Sequence, residues 1–464
     1  MNIQSIILLT AVVIVAAFAL YRYLRSDNKC SCCDGCSKND CCSMILVLLL
    51  LLPLNMMAGK GDKGMKEPQK QLLAYSNDST RDVYRIPAIA KNRKGELVAV
   101  YDYRVCGTDI GFGEVDQVMR ISKNNGKKWS KETKIADGVG GDENVFGVGF
   151  GDPAICLDRE SGRGVLITVS GKCIYAYGTA THRPLIARQV TNDGGHTWSE
   201  PEDITLQFWG KKGAMFQTNE TDDGTGVFAW AGFFGSGKIL QSRTTKVGAF
   251  YRLYAALLMR GTGLKGAYVV YSDDMGMNWK LLGGDAAFQA APDSDEPKVE
   301  ELPSGQIVLS GRKWYGRAFN IWTFASGSTT EGSWDSPVNS HDAPGGIKVG
   351  ANSCNGEILL VSGRMAQGGK PCTVALQSLP KANTRADVTI YYKVLEEGKS
   401  YTTAEFAADW KEGLQVSQTR SAYSTMCQQK DGRIAFFYEE EPYIYNMVYV
   451  PLTLSQITKG EICK

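Results

Sequence analysis

The sequence predicts an all-β protein, a six-bladed β-propeller preceded by membrane- or signal-like N-terminal segments. Three observations carry that expectation. A turn glycine followed by a short apolar strand recurs six times between residues 95 and 437. A second pattern, Ser/Thr-x-Asp-x-Gly-x-x-Trp, recurs three times, the first two copies in register with the first pattern, and helical periodicity is weak throughout.

The strand copies are Gly-Glu-Leu-Val-Ala-Val from Gly95, Gly-Val-Leu-Ile-Thr-Val from Gly164, Gly-Lys-Ile-Leu from Gly237, Gly-Gln-Ile-Val-Leu from Gly305, Gly-Glu-Ile-Leu-Leu-Val from Gly356 and Gly-Arg-Ile-Ala-Phe-Phe from Gly432. Each reads as a hairpin turn entering a buried strand. Their mean spacing of about 67 residues divides residues 71–464 into six near-equal units. A unit of that length holds four strands of five or six residues with their loops, which is one propeller blade. A β-sandwich array competes, but gives no reason for six similar units.

The second pattern occurs as Ser122 to Trp129, with Asn124 in place of the Asp, Thr191 to Trp198, and Ser272 to Trp279. The first two begin 27 residues after their blade glycine. The Asp caps a tight turn, the Gly supplies positive φ, and the Trp packs the turn onto the blade, so these boxes read as structural. A degenerate fourth copy lies at Glu396-Glu397-Gly398, with Tyr401 in place of Trp.

Composition narrows the chemistry. The 464 residues, 43% hydrophobic with a net charge of +2, can bury one large core or two ordinary ones and lack the basic excess of a nucleic-acid binder. The three histidines, His182, His196 and His341, form no HExxH, and no paired CxxC follows, so no metal site is expected in the main body. Hydrolysis would have to rest on carboxylates, tyrosine and arginine.

The N-terminus is organised differently. An apolar run from Ile6 to Leu20 is bordered by Tyr21, Arg22, Tyr23 and Arg25, which predicts a membrane anchor or signal-like segment. Six of the 13 cysteines follow within residues 30–42, either a metal-binding tract or thiols with no ordered site. A second apolar run, Met44 to Ala58, ends at Ala58-Gly59 before a polar linker to residue 70, as a secretory signal does. Residues 1–43 resemble the small cysteine-rich membrane proteins associated with bacterial ferrous-iron uptake, which implies a fused or misjoined frame. The expected organisation is therefore 1–43, 44–70 and a propeller over 71–464. The expected location is periplasmic, cell-surface or secreted, with membrane attachment through the N-terminus one way of reaching it.

The boxes, Tyr84-Arg-Ile-Pro87 upstream of them and several downstream segments resemble bacterial exo-α-sialidases with Asp-box repeats, and the resemblance covers residues 71–464. Those enzymes are six-bladed propellers that remove terminal sialic acid from glycans, so sialylated glycans are the implied partners and no cofactor is implied. Sialic acid bears a carboxylate on its anomeric carbon, and arginine offers a planar fork that stays charged. The three clamping arginines match Arg85 in Arg-Ile-Pro, Arg312 in Ile307-Val-Leu-Ser-Gly-Arg312, and Arg385 in Asn383-Thr-Arg-Ala-Asp-Val-Thr-Ile390, with Arg364 a rival for the third. Glu439, in Phe437-Tyr-Glu439, matches the carboxylate that orients the first arginine, and Glu440 and Glu441 adjoin it. Arg104, Arg312 and Glu439 come nine, seven and seven residues after their turn glycines, at corresponding strand ends that can converge on one cleft.

A carboxylate nucleophile would be repelled by the substrate's own carboxylate. Sialidases are the known tyrosine exception among glycosidases, and the tyrosine role is taken from that family pattern. Tyr423, in Ser421-Ala-Tyr-Ser-Thr425, matches the nucleophile, and Glu296, in Asp295-Glu-Pro-Lys-Val, matches its base, with Glu301 the alternative. Asp109, in a glycine-flanked loop after Arg104, matches the acid/base, and Asp102 and Asp116 are nearby carboxylates expected to serve the fold or rim. Arg104 and Asp152 resemble residues that contact the sugar hydroxyl and N-acetyl region. Trp209, Phe233 and Phe234 either line an acyl pocket or pack the blades. The resemblance implies a retaining exo-α-sialidase; a trans-sialidase and a silent glycan-binding propeller remain open alternatives.

Overall fold

Six antiparallel sheets follow one another along the chain and close into a ring. The computed structural model describes residues 68–77, 79–210, 215–217, 228–284, 289–441 and 444–464. The anchor, cysteine-rich and signal-like segments, with the first part of the linker, lie outside the described residues. Among the described residues, no helix is long and apolar enough to cross a membrane.

Blade 1 consists of Tyr84–Lys91, Leu97–Tyr103, Asp116–Ser122 and Thr133–Ala136, and blade 2 of Phe150–Leu157, Gly164–Ser170, Leu185–Thr191 and Glu202–Asp203. Blade 3 is built on Phe228–Phe234, Phe250–Thr262, Leu264–Ser272 and Lys280–Leu281, and blade 4 on Asp295–Glu301, Ile307–Lys313, Gly316–Phe324 and Gly332–Trp334. Blade 5 has Ile358–Met365, Pro371–Pro380, Val388–Leu395 and Lys411–Gln415. Blade 6 takes Ser421–Gln428, Ile434–Glu440 and Asn446–Leu452 from the C-terminal part and Gln71–Ala74 from the N-terminal side, paired as Gln71↔Tyr449 and Leu72↔Val448. That strand exchange ties the first and last blades together and covers a sheet edge.

An apolar cluster fills each of the six gaps between blades; Val98, Ile155 and Leu166 meet between blades 1 and 2, and Phe319, Leu360 and Trp410 between blades 4 and 5. Strands buried on both faces need no alternation, which is why Gly164–Ser170 is buried at every position and reads as a continuous apolar run.

The boxes lie between the third and fourth strands of blades 1, 2 and 3. In blade 2, Asp193 accepts from the backbone of His196 and Thr197 at 2.9 and 3.0 Å, and the Thr191 hydroxyl accepts from Gly195 N at 3.1 Å. Gly126 holds φ 78°, and a Cβ there would collide with the Tyr449 hydroxyl. The pairings Leu97↔Ser122 and Tyr103↔Asp116 set the boxes at one end of the blades and the residues around Arg104 at the other. The degenerate copy occupies the same slot in blade 5, where the Tyr401 hydroxyl accepts from Glu396 N at 2.7 Å.

Two glycines differ from expectation. Gly95, Gly305 and Gly432 precede the second strands of blades 1, 4 and 6 and Gly164 begins that of blade 2, but Gly237 starts a two-residue strand parallel to the first strand of blade 2, and Gly356 precedes the first strand of blade 5. Each has its own reason to be glycine: Gly237 holds φ 99°, and a Cβ on Gly356 would lie 1.8 Å from Ser378 O. The second strand of blade 3 is instead the 13-residue Phe250–Thr262, whose hairpin turn is at Gly263. The count of six is unaffected, because both glycines still fall one per repeat.

Candidate active site

Antiparallel pairing brings the start of each blade's first strand beside the end of its second. Tyr84 lies opposite Tyr103, Asp295 opposite Arg312, and Ser421 opposite Glu440. At these points the first strands of blades 1, 2, 4 and 6 bulge, with register breaks at Arg85/Ala88, Gly151/Ala154, Asp295/Pro297 and Ser421/Ser424. A bulge re-aims the residue inside it, and here those residues include Ile86, Asp152, Glu296 and Tyr423. Three of the four precede proline, which cannot donate to a ladder and fits at a bulge. Ile86 and Asp152 hold φ of 55° and 54°, the left-handed region that a β-branched residue enters only under constraint. This X-Pro signal inside three strands is legible in the sequence.

The bulges surround a cleft of about 340 Å³ lined by Arg85, Arg104, Asp109, Asp152, Glu296, Arg312, Arg385 and Tyr423, with Ile110, Tyr175 and Phe233 on its apolar side. Eight of the nine expected site residues therefore meet in one cavity. The ninth, Glu439, lies behind it. Its fully buried carboxylate accepts from Arg85 Nε at 2.7 Å, from Ile86 N at 2.9 Å and from Tyr423 N at 3.2 Å.

The Tyr423 hydroxyl donates to Glu296, whose two carboxylate oxygens lie 2.6 and 2.7 Å away. Arg312 Nη1 is 2.7 Å from Glu296 and 3.2 Å from the same hydroxyl, and its Nε donates to Ser353 Oγ at 2.9 Å. The guanidinium carbons of Arg85 and Arg385 stand 5.6 and 5.4 Å from the Tyr423 ring centroid. Burial pushes the phenol well above its ordinary pKa, Glu296 adds to the rise, and Arg312 and Arg385 oppose it. Burial works against the charges of Arg85 and Arg312 too, but Glu439 and Glu296 hold both guanidiniums protonated.

Around Arg104 three carboxylates converge. Asp102 Oδ2 accepts from Nε and Nη2 at 3.2 Å, Asp109 lies 2.9 Å from Nη2, and Asp152 lies 3.9 Å from it. The other oxygen of Asp102 accepts from Gln117 Nε2 at 2.8 Å and from the backbone N of Asp152 at 3.1 Å. Burial lifts Asp102 to about 6 against the pull of Arg104 and Gln117. Burial, then Asp102 and Asp109, push Asp152 well up. Asp109 remains exposed on a loop between Gly107 and Gly111, both at positive φ.

The rivals separate cleanly. Arg364 donates to Gly369 O on an exposed edge, outside the cleft that Arg385 lines. Glu301 accepts from Ser242 and Thr244, away from Tyr423. Asp116 accepts from Gly138 N and pairs with Lys134, and Glu440 accepts from Lys70 and Tyr438. Trp209 and Phe234 are packed in the cluster between blades 2 and 3, and of the three aromatics only Phe233 reaches the cleft. Asp102 serves the fold, as expected, but it does so directly beneath Arg104. Ser353, which carries no motif, and Asp295, which precedes Glu296 in its motif, reach Arg312 through the fold at 2.9 and 3.8 Å.

Box repeats, six blades and this cleft define a class of repeat propeller. Residues 95–436 match the family model described as BNR repeat-like domain, and the chain belongs to that family. Its curated relatives include a sialidase of Micromonospora viridifaciens, 29% identical over 241 residues that make up 49% of this chain and 32% of the relative. A sialidase of Bacteroides fragilis is 24% identical over 251 residues, 51% of this chain and 41% of that protein. The match thus spans well under half the length of either relative. Solved structures of the same fold include a Hadza microbial sialidase, with a TM-score of 0.63 at 19% identity over 84% of this chain and 69% of that one. The intramolecular trans-sialidase from Ruminococcus gnavus has a TM-score of 0.61 at 15% identity over 85% and 99%.

Proposed function

We propose that the chain is a retaining exo-α-sialidase acting on sialylated glycans. The observation that carries this reading is a buried tyrosine hydroxyl bonded to a carboxylate, Tyr423 to Glu296, among Arg85, Arg312 and Arg385. Three fixed cations suit a ligand carboxylate, and a neutral phenol can approach an anionic anomeric centre where a carboxylate would be repelled. Arg104 and Asp152 would hold the sugar's polar substituents, and Glu439 would keep Arg85 in place.

In the first displacement Asp109 gives its proton to the glycosidic oxygen as the bond from that oxygen to the anomeric carbon breaks. The Tyr423 oxygen bonds to that carbon and passes its proton to Glu296. In the second, water attacks the anomeric carbon and gives a proton to Asp109, the tyrosyl bond breaks, and Glu296 returns the proton to the phenol. Two inversions give net retention. Release of the fluorophore from a 4-methylumbelliferyl α-sialoside tests the activity, and proton NMR tests the stereochemistry. A folded protein without turnover, or one releasing the β-anomer first, would overturn the reading.

Export belongs to the same proposal, resting on the apolar run at residues 44–58. N-terminal sequencing of the protein from the producing cell should find a start near Gly59; a start at Met1 in the cytoplasm would refute it.

A further inference from the structure

A second tier of charge lies beneath the floor of the cleft. Lys298 follows Glu296 by two residues on the first strand of blade 4, and Thr425 follows Tyr423 by two on the first strand of blade 6. Two residues of strand advance the chain by about 7 Å, so this pair lies one step below the contact between Tyr423 and Glu296. Lys298 Nζ, Glu357 Oε2 and Thr425 Oγ1 converge on one point, lying 2.8, 3.0 and 3.2 Å from where a Cβ on Gly237 would be. Glycine there leaves the room into which the lysine reaches. Glu357 accepts from the Thr425 hydroxyl at 3.1 Å and from Ile358 N at 3.2 Å. Lys298, Glu357 and Thr425 are all buried.

Arg317 belongs to the same tier. Ser310 lies opposite Lys298 in the sheet, and Arg317 donates to Ser310 Oγ at 3.0 Å, to Ser310 O at 2.7 Å and to Cys354 O at 3.2 Å. All three acceptors are uncharged. Among the described residues no carboxylate forms an ion-pair contact with Lys298 or Arg317, although both are buried, and unpaired buried charge is costly. Burial pushes Arg317 down to about 10, against Cys354, Glu296 and Glu357. Burial lowers Lys298 too, against Glu357 and then Glu296. The tier thus sets two cations against one carboxylate. Farther along the strand Glu300 is matched by Lys238 and Arg243, so the surplus positive charge lies next to Glu296. Glu296 also faces Arg312 and Asp295 on its own blade, Asp152 from blade 2, Tyr423 from blade 6 and the Cys354 thiol.

We infer that Lys298, backed by Arg317, is a positioning residue whose charge holds Glu296 in the form that takes the Tyr423 proton. The inference rests on the sialidase reading above and adds a cation that never touches substrate. Arg312 lies 2.7 Å from Glu296 but also lines the cleft, where a bound carboxylate shares its charge. Lys298 and Arg317 do not line the cleft, so their charge stays with Glu296 when the cleft is filled. The proton leaves the Tyr423 oxygen for Glu296 as that oxygen bonds to the anomeric carbon, and it returns in the second displacement. Lys298 gives and takes none.

The test is the pH profile of kcat/KM on a 4-methylumbelliferyl α-sialoside for the wild type, Lys298→Met, Lys298→Gln and Lys298→Arg. Removing a positive charge beside a carboxylate makes that carboxylate easier to protonate. The acidic limb of both neutral variants should therefore move up by about one pH unit, an approximately tenfold loss on that limb that shrinks as pH rises. Lys298→Arg keeps the charge and should keep the limb near its wild-type position. A lysine that only fills space would change the melting temperature and leave the limb in place, and that result would overturn the inference. A loss equal at every pH would overturn it as well. Should neither neutral variant fold, Glu357→Gln carries the test with the opposite sign: it leaves the cation less opposed and should move the limb down by about half a unit, and an unmoved limb would refute the assignment. A wild type without turnover at any pH would bring down the sialidase reading itself, and this inference with it.

Discussion

The Tyr423 hydroxyl lies 2.6 and 2.7 Å from the two carboxylate oxygens of Glu296, although 127 residues separate them in sequence. A phenol whose pKa is raised by burial is a poor nucleophile unless its proton has somewhere to go, and Glu296 is the acceptor in hydrogen-bond contact.

Tyr423→Phe should therefore lower kcat by at least about a thousandfold while the fold is retained. Circular dichroism and turnover of an aryl sialoside check this, and activity within tenfold of wild type would refute the nucleophile assignment.

Asp109→Asn should affect substrates unequally. Sialyllactose needs protonation of a sugar oxygen, whereas an aryl group leaves with little help, so the loss should be about 10²-fold or more for sialyllactose and clearly smaller for the aryl sialoside. Equal losses would argue that Asp109 acts by holding Arg104.

Glu439 gathers Arg85, Ile86 N and Tyr423 N on one buried carboxylate. Glu439→Gln leaves Arg85 without its partner and presents an amide N–H to donors. The variant should lose about 3 kcal/mol in urea denaturation and bind the unsaturated inhibitor more weakly. A stability within about 0.5 kcal/mol of wild type would show that the pair contributes little.

Stability should also depend on pH with opposed limbs. The Asp102 pKa is raised to about 6 by burial, so its contribution is full below about pH 4 and lost as pH rises through 6, and Asp152 acts in the same direction. Glu300 is opposite: burial resists ionisation, but Arg243 and Lys238 hold it down to about 2, so its contribution is lost as pH falls below about 4.5. The melting temperature should peak near pH 4.5, with Asp102→Asn flattening only the limb between pH 4.5 and 7. An unchanged slope on that limb would assign it to other groups.

Asp193, in the second box, accepts from Thr191, His196 and Thr197 far from the cleft. Asp193→Ala should cost about 1–2 kcal/mol, as loss of a helix cap does, with kcat and KM unchanged below the melting transition. Altered KM in the folded variant would mean the boxes take part in substrate binding.

The blade count, the slots of the boxes and most of the cleft are legible in the chain alone. Those signals are local: a glycine turn, a capped Asp and a continuous apolar run each report a structure made within about ten residues. Arg85, Arg312 and Tyr423 carried motifs as well as positions. Everything set by neighbours across blades comes from the folded chain. Gly237 and Gly356 look like hairpin glycines in sequence, yet Gly237 is glycine at φ 99° in a two-residue strand against blade 2, and Gly356 because Ser378 O approaches too closely for a Cβ. Arg385 prevailed over Arg364 because ring closure turns one into the cleft and leaves the other on an edge. Asp102 proved to hold Arg104 because the strand pairing buries it there. Such contacts join residues far apart in sequence, so no local pattern records them.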